Sequence, residues 1–135
     1  MANDLPDYTK KIAITVTVGT EQVPVTSASE SPVCEVDRYA GTDTTYQEVA
    51  SWTVAADVIG YLAEVSMESS SYSKTYFKLV IGATTLFTDK TIQGPLSIPF
   101  ADVQLAEGTV VRLSARSTDG TSITVDGMIS GKEVG

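Results

Sequence analysis

The stretch VVRLSARSTDGTSITV, Val110 to Val125, decides the fold class. Two runs rich in valine, isoleucine and threonine flank Asp119-Gly120. Asp-Gly supplies the left-handed backbone that a tight turn needs, and β-branched residues suit a pleated, half-buried surface. The stretch therefore predicts an antiparallel hairpin turning at Asp119-Gly120.

The same pattern continues outward from this hairpin. Ile12, Ile14, Val16 and Val18 alternate with Ala13, Thr15 and Thr17, and Val23 and Val25 resume the alternation after Gly19-Thr20. Period-2 alternation marks a strand with one face buried. Further strands are predicted over 46–54, 61–67, 76–81, 85–88, 96–100, 109–116 and 122–129. Gly82-Ala83, Asp89-Lys90, Gly94-Pro95 and Glu107-Gly108 separate them as turns. Thr26–Thr45 and the serine run Glu68–Ser73 read as loops, and Val54–Glu64 as a short turn rather than a helix, since Gly60 costs a helix about 1 kcal/mol against alanine. About nine short strands without intervening helices imply a sandwich or a barrel. Composition agrees: serine and threonine total 32 residues and valine 16, against 7 leucines.

At 135 residues the chain fits one domain. The predicted organisation is an antiparallel β-sandwich over 11–135, preceded by an extended arm over 1–10. Pro6 bars a regular helix or central strand there. Leu5 and Tyr8 are the arm's large apolar residues, too few for a core of its own and suited to anchoring on a partner.

A formal net charge of −8 repels phosphate backbones and anionic lipid surfaces, which argues against nucleic-acid and membrane partners. No apolar run has the length of a transmembrane helix. Thr15 and Thr17 break the run after Lys10-Lys11, so a secretory leader is not expected and synthesis in a cytoplasm is. Cys34 is the single cysteine and has no internal partner; its alternating surroundings predict a small, buried, unreactive side chain.

The chain contains no histidine. Histidine is the usual activator of a serine or cysteine nucleophile and a principal zinc ligand, so nucleophilic catalysis and zinc sites are not expected. Ser73-Lys74 is the remaining base–nucleophile pair and lacks a third orienting group. Glu48, Asp57, Glu64, Asp102 and Glu107 could pair for glycoside hydrolysis but are also what any solvated acidic face carries. Asp119-Gly120-Thr121 and Asp126-Gly127 lack the spaced oxygen ladder of a calcium loop and read as turns. No cofactor is expected. Trp52, Tyr72 and Tyr76 could form a sugar-stacking platform; the plainer expectation puts Trp52 and Tyr76 in the core and Tyr72 on a loop.

From Tyr61 to the end, the succession Tyr61-Leu62-Ala63-Glu64-Val65, Tyr76 to Gly82, Leu96-Ser97-Ile98-Pro99-Phe100 and Gly108 to Leu113, closing with Ser114 to Ile123, resembles the strand order of tailed-phage virion jelly-roll proteins. The resemblance implies a non-enzymatic subunit, a capsid decoration (cement) or head-fibre type of protein. Such a subunit is a homotrimer on the outer surface of the virion and contacts the major capsid protein or other virion subunits. It carries over no site residue. The alternative is a receptor- or carbohydrate-binding β-sandwich module, which exposed coplanar aromatics in a groove would distinguish.

Overall fold

A computed structural model describes residues 29–135. Within them lie eight strands: β1 (Glu30–Gly41), β2 (Gln47–Thr53), β3 (Ile59–Ser69), β4 (Thr75–Ile81), β5 (Thr84–Lys90), β6 (Leu96–Leu105), β7 (Val110–Ser117) and β8 (Ile123–Val134). The one helical element among the described residues is a 3-10 turn at Tyr72–Lys74. All seven strands expected in this range are present, most of them longer than their apolar runs. The expected strands over 12–18 and 23–25, and the arm 1–10 with Leu5 and Tyr8, lie outside the described residues.

Two four-stranded antiparallel sheets face each other, sheet A in the order β1-β8-β3-β6 and sheet B in the order β2-β7-β4-β5. The chain changes sheet at every connection except β4 to β5. That interleaving of two four-stranded sheets is the eight-stranded jelly roll.

The topology corrects the hairpin expected at Asp119-Gly120. A turn is there, with Gly120 at φ 90°, but β7 lies in sheet B and β8 in sheet A, so it carries the chain across the core. The hairpin of the described residues is β4–β5, where Ile81 pairs with Thr84 across Gly82-Ala83 and Gly82 has φ 61°. A glycine first in a two-residue loop with positive φ fits the strand twist of a hairpin.

Thr26–Thr45 is not the loop its serines, proline and glycine suggested, because β1 occupies Glu30–Gly41 and pairs with β8 along its whole length. None of its residues is buried and only Val33 and Tyr39 pack partly against the core, which hid the strand from a search for a buried apolar face. Nor is Glu68–Ser73 a free loop. Ser69 and Ser71 are half-buried and tied to buried Thr75, whose Oγ1 donates to the Ser71 carbonyl at 2.6 Å. The Ala56-Asp57 turn stands where a short turn was expected, with Asp57 at φ 65° and its N–H donating to Glu107 at 2.7 Å.

The core lies between the sheets. Leu62, Val65, Met67, Ile123, Val125 and Ile129 face it from sheet A; Val49, Trp52, Phe77, Leu79, Val111 and Leu113 face it from sheet B. Each such side chain contributes about 1.5–3 kcal/mol when fully buried. Tyr76, expected inside, instead lies on the outer face, and its neighbour Phe77 takes the core position. Adjacent aromatics leave the phase of the alternation open, and the register to β7 decides it.

Trp52 lies against two glycines of the opposite sheet. A Cβ added at Gly60 or Gly131 would sit 3.1 Å from its ring, and one at Gly131 would also meet the Tyr61 carbonyl at 2.2 Å. The indole N–H donates to Glu133 at 3.0 Å, and the same carboxylate oxygen accepts the Ala55 N–H at 3.0 Å. A buried indole thus keeps its donor satisfied at the end of the sandwich.

Candidate interaction surfaces

The pairing registers define a row across the outer face of sheet A: Val36 on β1, Met128 on β8, Ser66 on β3 and Ser97 on β6. Ser66 and Ser97 share a hydrogen bond at 2.9 Å. With Pro95 and Leu96 the row lines a shallow depression of about 280 Å³. Val36 is 68 % exposed, the highest value among the large apolar side chains of the described residues. One step along, Arg38 holds Asp126 through two contacts at 2.7 and 3.2 Å. Ion pairs this exposed contribute little to stability. They border an uncharged stripe.

Cys34 lies on this same outer face, and it is exposed. The expectation of a buried thiol is therefore corrected: β1 places Cys34, opposite Ser130, on the face turned away from the core. Stoichiometric labelling of Cys34 by a thiol reagent in the folded protein, without denaturant, is the expected result. A folded protein that resists the reagent until it is unfolded would contradict this exposure.

The outer face of sheet B has a different character. Arg116 on β7 stacks over Tyr76 on β4 at 4.6 Å and over Tyr46, just before β2, at 5.4 Å. The same guanidinium reaches Asp89 at 3.2 Å, and the Tyr46 hydroxyl donates to Asp89 while accepting the Asp89 N–H at 2.7 Å. Asp89 has φ 52°, a left-handed backbone that aspartate tolerates. This cluster binds the edge strand β5 to the middle of the sheet. Its rings and charges are already partnered with one another.

The expected aromatic platform is not assembled. Trp52 is buried, Tyr72 sits in the 3-10 turn, and Tyr76 stacks on Arg116. Ser73-Lys74 does not form a base–nucleophile pair, because the Lys74 ammonium donates to Asp119 at 2.7 Å. Glu48, held by Arg112 at 2.9 Å, lies on sheet B, while Glu64 lies on sheet A beside Ser66. Asp126-Gly127 is a mid-strand pair of β8, not a turn. Among the described residues no three histidine, cysteine, aspartate or glutamate side chains cluster as a metal would need.

Three aspartates are held below the ordinary carboxylate range. Asp119 is lowered well below it by the Lys74 hydrogen bond and then by Thr121, Asp89 by the Tyr46 hydroxyl, and Asp126 by Arg38. Each ionises more readily in the folded chain than in the unfolded one. Protonation therefore favours unfolding. The contribution is full above the unfolded aspartate value of about 3.9 and is lost as pH falls through the lower folded values. The urea midpoint should hold from pH 7 to about 5 and drop steadily below about 4, with a shallower drop in Asp119→Asn. A midpoint unchanged between pH 5 and pH 3 would contradict the assignment.

No family model matches the chain, and no curated protein does. Among solved structures, it is similar to the cyanophage Pam1 capsid asymmetric unit, with 12 % identity over 88 % of this chain and 94 % of that one, and a TM-score of 0.46.

Proposed function

We propose that this chain is a non-enzymatic structural subunit of a virus particle, a decoration subunit on the outer surface of a tailed phage's head. The observation that carries the reading is the uncharged outer stripe of sheet A around exposed Val36, on a jelly-roll frame. Jelly rolls serve viral capsid domains, lectins and cupins. A cupin metal centre is built on histidines, which this sequence lacks. A sugar-binding module needs aromatic faces open to a ligand, whereas Tyr46 and Tyr76 are occupied by Arg116. An uncharged stripe of valine, methionine and serine bordered by charges suits a protein–protein contact. The partner is the major capsid protein or another virion subunit, the functional state is a homotrimer, and residues 1–10 act as an arm that anchors on a neighbour through Leu5 and Tyr8.

The test mixes purified chain with particles lacking it and follows cosedimentation. The unaltered chain should sediment with particles at fixed stoichiometry and scatter light as a trimer. Val36→Asp and deletion of residues 2–10 should each weaken particle binding at least about tenfold, or ~1.4 kcal/mol, with the melting temperature unchanged. An unaltered chain that stays in the supernatant would sink the decoration role. A deletion that unfolds the domain while assembly persists would make residues 1–10 an ordinary part of the sandwich.

A further inference from the structure

The outer edge of β1 bears no further strand among the described residues, since sheet A ends there. A strand edge is a row of backbone donors and acceptors to which another chain can add. On the core side of β1, Val33 and Tyr39 pack partly against the core, with Glu35 and Asp37 exposed between them. On the outer side Cys34, Val36 and Arg38 stand opposite Ser130, Met128 and Asp126, and Pro32 and Glu30 are in phase with them.

We propose that this edge takes a second copy of the chain, the two β1 strands pairing antiparallel about a two-fold axis at Cys34. An axis normal to the sheet sets the strand against itself, so the register decides which charges meet. Centred on Glu35, the pairing opposes Glu35 to its own copy. Centred on Val36 it opposes Glu35 to Asp37, and centred on Asp37 it opposes Asp37 to itself. Like charges directly opposite across strands are destabilising. Centred on Cys34 the pairing opposes no like charges, and it sets Arg38 of each copy against Glu30 of the other. Centres nearer either end overlap less of β1. The Arg38 and Glu30 side chains are 63 % and 61 % exposed, beside Asp126 at 2.7 Å and Lys132 at 3.5 Å. The contact thus joins two existing ion pairs into a row of alternating sign: Asp126 and Arg38, then Glu30 and Lys132 of the second copy. Val36 meets Pro32 of the second copy, so the N–H that proline lacks falls at an apolar contact away from the axis. On the core side Glu35 faces Val33 and Asp37 faces Ser31.

A lone strand pair is marginal in water, so the contact is transient in solution and favoured where copies are held side by side. It is isologous and closes with two copies, so it joins chains of neighbouring trimers and does not build the trimer. With the axis normal to the sheet, both Val36 stripes point the same way, toward one particle surface. That placement on a particle rests on the decoration reading; the pairing does not.

The native single cysteine supplies the test. In concentrated full-length protein, with oxidised glutathione as electron acceptor, Cys34 should form a disulfide between two chains, since facing Cα atoms at about 4.5–5.5 Å suit that bond. In Cys34→Ser/Val36→Cys the two thiols stand about 13 Å apart along the strands and should link at least about tenfold more slowly, although position 36 is 68 % exposed. Mixed with Cys34→Ser/Pro32→Cys, the Val36→Cys chain should link to that variant faster than either links to itself, which reads the register. Equal rates for Cys34 and the Val36→Cys variant would mean random collision and overturn the proposal. So would a mixed link no faster than the self-links, or a Cys34 that labels freely yet forms no bond between chains. The bonds are read by mass without any particle, so they fail or form independently of the decoration role.

Discussion

Trp52→Ala should lower the stability of the domain by about 3–5 kcal/mol, within the range for deleting a large buried aromatic. Trp52 is 3 % exposed and is the largest side chain of the core. Three losses coincide at this position. The sandwich keeps a cavity where the indole stood, since the surrounding sheets close up only partly. Glu133 loses the indole donor at 3.0 Å and retains the Ala55 N–H. Gly60 and Gly131, which lie against the ring, are left with their backbone facing a void. At 135 residues about 1 kcal/mol shifts the melting temperature by roughly 3–5 °C, so the transition should fall by roughly ten degrees or more. Trp52→Phe keeps much of the volume but not the donor and should fall between the two. A Trp52→Ala protein melting within two or three degrees of the parent, roughly 0.5 kcal/mol, would show that the indole does not hold the sheets together.

Gly131→Ala should be costly for the opposite reason. The added methyl would stand 2.2 Å from the Tyr61 carbonyl and 3.1 Å from the Trp52 ring. A flexible side chain could swing aside, but a backbone carbonyl within a sheet cannot move without disturbing both neighbouring ladders. The shift falls where β3 already bulges between Leu62 and Glu64 against both β6 and β8. Overpacking a well-packed core costs about 1–3 kcal/mol, and this site should lie at or above the top of that range because the obstacle is backbone. Gly94→Ala is the control, since its added methyl meets nothing within 4 Å. Denaturant unfolding of the two variants decides the matter. Equal midpoints would mean that the Tyr61–Gly131 approach relaxes at no cost.

Much of this protein follows from alternation alone. Valine and threonine at period 2 placed seven of the eight described strands and set the fold class, because one-sided burial forces the side-chain pattern of a strand whatever its partner. β1 escaped because its exposed side chains write no such pattern, although its backbone pairs with β8 over twelve residues. The turn at Asp119-Gly120 was equally legible as a turn. Its destination was not, because turn chemistry is local while sheet membership depends on strands far away in the chain. The surface residues were lost for a related reason. Tyr46, Tyr76 and Arg116 come from three separate strands or their ends, and only the β2-β7-β4 order stacks them. Val36 and Met128 are 92 positions apart, and the β1–β8 register makes them neighbours on an outer face. Composition and alternation determined that the chain is all-β, a sandwich or a barrel, because they record each residue's preference for burial. Which strands meet, and so which side chains share a surface, was decided by the packing of the two sheets, because contacts between distant segments exist only once the chain has closed.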